Sequence, residues 1–254
     1  MRSLAQTLAA QLLALLLPLP AVAAPQPIDN AEQYRACLAL VRQAPWEAYE
    51  AARAWQPLGG GDAARHCAAL SLIELKQYDA AALELEEIAE SQQDEGAVPV
   101  AQVLGQAANA WLLAGRVDRA ETAIEAAVER APDDVGLLTD WARVLGEAGR
   151  YGEALEALQH ALKLAPDDVE ALVFQAAAQR HLGQGAAALA SVGRALELEP
   201  GHPTALLERG LLRRAAGDEA GARADWLDLA VAYDGTPAAD AAKAYLAELD
   251  VETR

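Results

Sequence analysis

Four histidines, two cysteines and one triple-glycine run are the residues of this sequence with types suited to chemistry. His66, His160, His181 and His202 have the side chains for metal binding or proton transfer, yet no two stand at metal-ligand spacing. None is matched with an acid and a nucleophile in a catalytic pattern. A zinc site built from Cys37, Cys67 and His66 would lack a fourth ligand. The run Gly59-Gly60-Gly61 has no Gly-Lys-Ser/Thr after it and no strand pattern before it, so it reads as a loop between helices and not as a phosphate cradle. The expectation is therefore a chain with no catalytic residues, no metal and no cofactor, that is, not an enzyme.

What such residues would need is a scaffold, and the composition says which kind. Of the 254 residues, 53% are hydrophobic and only 5% aromatic, and Ala and Leu supply most of that apolar content while β-branched residues are scarce. Intrinsic propensity then favours helix nearly everywhere after residue 30. The first residues differ: one basic side chain, Arg2, precedes an uncharged Leu/Ala run, Pro18 and Pro20, and small residues at Ala21, Ala23 and Ala24. That pattern predicts a secretory signal over residues 1–24 and a periplasmic or secreted protein with no stable membrane insertion after cleavage. An uncleaved N-terminal anchor is the alternative, and the two prolines disfavour it by breaking the run before it spans about 20 residues. The net charge of −18 excludes nucleic acid and anionic membrane surfaces as expected partners.

From residue 101 the sequence repeats itself four times at a period of 34 without gaps, starting at Ala101, Val135, Val169 and Pro203. Gly115, Gly149, Gly183 and Gly217 share one position midway, where a first helix must stop. Ala108, Ala142, Ala176 and Gly210 on that helix face Ala120, Ala154, Ala188 and Ala222 on the second, letting the two axes approach closely. Ala127, Ala161 and Ala195 lie where the second helix meets the next unit, and Pro132, Pro166 and Pro200 end it. Trp111, Trp141 and Trp226 occupy helix-packing positions, while Trp46 and Trp55 are left unassigned.

The set Ala142, Gly149, Tyr151, Ala154, Ala161 and Pro166 resembles the tetratricopeptide repeat. The resemblance implies an all-α, right-handed α-solenoid of stacked helix-turn-helix repeats. Leu104, Leu138, Leu172 and Leu206 stand where the family has an early Trp, and Asp234 where Pro is usual. Residues 25–100 read as two diverged repeats: the second keeps Tyr78 and Ala81 but has Lys76 for the Gly, and about five extra residues precede Ala101. The first uses Pro45 to open its second helix and Gly59-Gly60-Gly61 to close it. Residues 101–236 hold the four regular repeats, and 237–254 a capping helix and tail, with Thr236 as N-cap and Pro237 in the first turn.

Cys37 and Cys67 are nearly one repeat apart, so they fall on the first helices of neighbouring repeats, and in an exported chain a disulfide is expected, two buried free thiols being the alternative. In the family, the inner face of the first helices lines a concave surface that binds peptides. In that register the inward residues are His66, Asn109, Thr139, Arg143, Phe174, Arg180, Leu207 and Arg214, with Asp140 alongside. Family members that clamp a C-terminal carboxylate use Lys and Asn on one helix; Asn109 matches the Asn, but Gly105 replaces the Lys. The expectation is an adaptor for a protein or peptide partner, with Arg143, Arg180 and Arg214 holding an acidic or C-terminal segment and Asn109, Thr139 and Phe174 beside them. Pairing of those arginines with Asp140, Glu147, Glu170 or Glu208 is the competing reading. A structural or self-associating subunit of a cell-envelope complex is the alternative function.

Overall fold

The structure, a computed structural model, describes residues 29–91 and 98–252, and every regular element among them is helical. The expected signal segment, residues 1–24, and residues 92–97 before α5 lie outside the described residues. Helices α1 (Asn30–Val41), α2 (Pro45–Trp55), α3 (Gly61–Glu74) and α4 (Tyr78–Ser91) build the two diverged units. They lead to α5 (Val100–Leu113), α6 (Val117–Arg130), α7 (Val135–Glu147), α8 (Tyr151–Leu164), α9 (Val169–His181), α10 (Gly185–Leu198), α11 (Pro203–Ala215) and α12 (Glu219–Ala232). The last helix is α13 (Pro237–Glu252). Among the described residues, no helix is long and apolar enough to cross a membrane.

The first helices α3, α5, α7, α9 and α11 end because the chain turns left-handed at one residue. Gly149 takes φ 76°, its N–H bonds the Gly146 carbonyl at 3.0 Å, and the next N–H, of Arg150, bonds Leu145 at 2.8 Å. Those two bonds satisfy carbonyls that the helix end would leave open. The same pair of bonds recurs at Gly115, Gly183 and Gly217. Lys76 keeps that role without being glycine: its φ is 59°, and Gln77 N–H still reaches Leu72 O at 2.8 Å. The diverged unit is thus in register at a steric cost.

Starts are fixed by side chains as well as by proline. Asp134 and Asp168 accept hydrogen bonds from the N–H groups of Leu137 and Ala171, and His202 Nδ1 accepts from Ala205. Thr236 Oγ1 accepts from Ala239 N–H, which makes it the N-cap of α13. The paired small residues are sealed: Ala108, Ala142 and Ala176 are buried against Ala120, Ala154 and Ala188.

Contacts between helices give the curvature. First helices α5, α7, α9, α11 and α13 each touch the next in that series, whereas second helices pack on first helices and make no comparable contact with one another. The first-helix row is the tighter one and forms the inner layer. At the N-terminal end Cys37 on α1 and Cys67 on α3 are joined by a disulfide, with Cα atoms 6.3 Å apart. Closing a loop of that length stabilises by about 3–4 kcal/mol on the chain-entropy account. Beside it, Tyr34 donates to His66 Nδ1 at 2.7 Å and His66 Nε2 meets Gln106 Oε1 at 2.5 Å, tying α1, α3 and α5 together.

Candidate interaction face

The inner layer carries charge, but the charge is mostly committed. Arg143 bonds Asp140 at 2.6 Å within α7, Arg180 on α9 reaches Glu208 on α11 at 2.5 Å, and Arg214 on α11 reaches Glu248 on α13 at 2.8 Å. Arg180 and Arg214 stand one repeat apart and each braces the following first helix. The structure therefore does not present the three arginines as one open ladder; it shows the competing reading, with Asp140 and Glu208 as two of the partners. Burial pushes the Asp140 carboxyl above its ordinary range against the pull of Arg143. Glu170 is likewise raised, by burial and then by Asp140 beside it.

The remaining inward residues divide. Thr139 is buried and its hydroxyl bonds the Val135 carbonyl at 2.8 Å, so it serves its own helix. Leu207 packs into the C-terminal core, and its carbonyl takes the Trp226 indole N–H at 3.3 Å. His66 is a core link, its imidazole held below the ordinary range by burial. Phe174 stays on the face, packed against the α7–α8 core. Asn109 Oδ1, Arg143 Nε and Trp141 Nε1 are buried with no hydrogen-bond partner among the described residues. Gly105 has a steric reason: a Cβ there would stand 2.4 Å from the Leu137 Cδ2 methyl, so the lysine of a carboxylate clamp would require the Leu137 side chain to move.

Two clefts open where the first helices end. One, of about 350 Å³, lies between α7 and α9 and is lined by Arg143, Glu147, Tyr151, Phe174, Ala177 and His181. The Tyr151 and His181 rings stack at 4.1 Å and 5° and form its wall. The second, of about 460 Å³, lies between α9 and α11 and is lined by Arg180, Gly183, Gly185, Leu189, Leu212 and Ala215. Gly146, Tyr151, Ala178 and His181 of the first cleft shift by one repeat onto Arg180, Gly185, Leu212 and Ala215 of the second. They are the same site repeated. Sequence reasoning missed the Tyr151–His181 wall, although Tyr151 was visible at the family's aromatic position. The other histidines are accounted for: His202 caps α11, and His160 lies 3.2 Å from Asp133 on the surface. Among the described residues no group of His, Cys, Asp and Glu could hold a metal ion.

Comparison with known proteins agrees with this geometry. Family models described as tetratricopeptide repeat match residues 135–178, and residues 68–135 with 182–240. No curated protein matches the chain. Among solved structures, TTC0263, a thermophilic tetratricopeptide protein of Thermus thermophilus, aligns with a TM-score of 0.63 at 20% identity, covering 74% of this chain and 99% of that one. The pilF protein of Pseudomonas aeruginosa aligns at 0.63 and 16% identity over 85% of this chain and 99% of that one. The Cut9–Hcn1 hetero-tetramer of the APC/C aligns at 0.66 and 15% identity, covering 86% of this chain and 46% of that one. At these identities the likeness is one of fold.

Proposed function

We propose that this chain, which belongs to the tetratricopeptide repeat family, is an exported adaptor that captures an extended segment of a partner protein on its first-helix face. The family and fold support an interaction scaffold; the face is our reading. The observation that carries it is the cleft between α7 and α9, an aromatic-walled hollow lined by Arg143, Tyr151, Phe174 and His181. An acidic or C-terminal segment would have to displace Asp140, Glu208 or Glu248 from its arginine, and it belongs among the ligands to be tested.

A structural or self-associating role through the convex face or the ends is the other reading, and at the C-terminal end the start of α13 opposes it. Asp240 stands where the earlier first helices carry Leu104, Leu138, Leu172 and Leu206, and it pairs with Lys243 at 3.6 Å. Asp240 is exposed, as a cap requires, and farther along α13 Ala244, Ala247 and Val251 line an open apolar hollow.

Filling the cleft by Ala177→Trp tests the function. Affinity capture from envelope extract with mass spectrometry should recover a partner with the parent chain and lose it with the variant at unchanged helical content. Equal recovery would overturn the assignment to this face. Export is tested by N-terminal sequencing: the mature chain is expected to begin at Ala24 or Pro25, and recovery of Met1 would favour the anchor.

A further inference from the structure

Two equivalent clefts, one on each side of α9, set a spacing that a ligand must match. Packed helices lie about 8–10 Å apart, and α7, α9 and α11 are in successive contact. A polyproline II segment has three residues per turn at about 3.1 Å each, so every third side chain returns to one face after about 9 Å. A β-strand fails this match, because residues three apart point to opposite faces. An α-helix would match at seven residues, about 10.5 Å, but its peptide groups are already bonded internally.

We infer that the two clefts together bind a proline-rich polyproline II segment of the partner, bearing a basic residue. The inference rests on the first-helix face being the binding surface, as proposed above. Backbone chemistry supports it: polyproline II leaves its carbonyls and remaining N–H groups unpaired, and Arg143 lines the first cleft and Arg180 the second with guanidinium donors. Side-chain chemistry agrees. Proline rings dock well against aromatic walls, which Tyr151, His181 and Phe174 provide in the first cleft, while Gly185, Leu189 and Leu212 leave a larger apolar seat in the second. Charge selects the flank. Glu147 is exposed at the rim and takes part in none of the ion pairs that hold Asp140, Glu208 and Glu248, so a lysine or arginine on the segment meets a carboxylate there.

The probe is a fluorescein-labelled peptide, Lys followed by four Pro-Ala-Ala triplets, with binding to the full mature chain read by fluorescence anisotropy. Three comparison peptides are needed: a scramble that destroys the three-residue period, a version with Glu for Lys and a free C-terminal carboxylate, and an alanine-rich helical peptide with the same lysine. Gly185→Phe fills the second cleft at a position where an added Cβ has no atom within 4 Å, and Phe174→Ala strips the first. The expected result is that the proline peptide binds, and that the scramble and Gly185→Phe each weaken binding about tenfold or more. Circular dichroism confirms that both variants remain folded. Equal binding of the helical or glutamate peptide, or binding indifferent to both variants, would overturn the inference. If Ala177→Trp abolishes partner capture while the proline peptide does not bind, the face reading stands and this inference falls. If Ala177→Trp captures normally, both fall.

Discussion

Gly210 is the one first-helix contact residue that is not alanine, and its partner explains why. A Cβ at Gly210 would stand 2.2 Å from Trp226 Nε1, 2.6 Å from Cε2 and 2.7 Å from Cδ1, against a fully buried indole. The residues equivalent to Trp226 in the other repeats are Ile124, Leu158 and Val192, each facing an alanine. Volume is thus traded across one contact. Gly210→Ala should cost about 1–3 kcal/mol in overpacking, offset by about 1 kcal/mol of helix propensity, with further loss if the ring gives up its bond to Leu207. Trp226→Leu alone should cost about 2–4 kcal/mol through the cavity it leaves. In that second background the clash is gone, so Gly210→Ala should become stabilising by about 1 kcal/mol. The predicted signature is a change of sign. Equilibrium urea unfolding of the four proteins, with m-values compared for lost cooperativity, measures it. Additive effects with Gly210→Ala destabilising in both backgrounds would refute the packing argument.

Three further outcomes are expected. Lys76→Gly should raise stability by about 0.5–1 kcal/mol in a thermal or urea melt, because the left-handed conformation costs a lysine about 1–2 kcal/mol and glycine loses part of that gain in the unfolded chain. His66 is held neutral by burial, so the unfolded chain, with an ordinary pKa near 6.5, takes up a proton that the folded chain resists. Stability should therefore be unaffected by His66 above that pH and fall as pH drops below it, and a His66→Gln chain should lose this component of the slope. Reducing the Cys37–Cys67 bond should cost about 3–4 kcal/mol, with faster amide exchange confined to α1 through α4; loss of protection spread evenly along the chain would contradict that localisation.

Much of this architecture was legible because repetition turns single residues into patterns. Four glycines at one position announced the left-handed stops, and the alanine pairs announced the close approaches. Lys76 shows where that signal weakens: its φ of 59° shows that the chain keeps the turn, although the letter that marks it is gone. The aspartates that cap α7 and α9 sat in plain view after Pro132 and Pro166, yet the prolines alone drew the reading of a helix stop. The candidate site was less legible. Register places Arg143, Arg180 and Arg214 on the inner layer, but whether a guanidinium is open depends on what the next helix offers it. Glu208 lies 28 residues beyond Arg180 and Glu248 lies 34 beyond Arg214. Such pairs depend on the stagger between helices, which a linear sequence does not encode locally. The Tyr151–His181 wall has the same character, formed by the start of one helix and the end of the next. Trp55, left unassigned from sequence, is buried with its N–H on Asn30 Oδ1 at 3.1 Å, whereas Trp46 is exposed and stacks on Tyr49.

The central claim is that the first-helix face, not the outer helices, meets the partner. Replacing Phe174 in the α7–α9 cleft with a photo-reactive phenylalanine analogue, and separately Val231, which is 80% exposed on α12, allows the two faces to be compared in the intact host cell after irradiation. The account predicts a covalent adduct to a partner protein from position 174 and none from position 231. Adducts from position 231 alone, or a covalent dimer of the chain itself from either position, would contradict it.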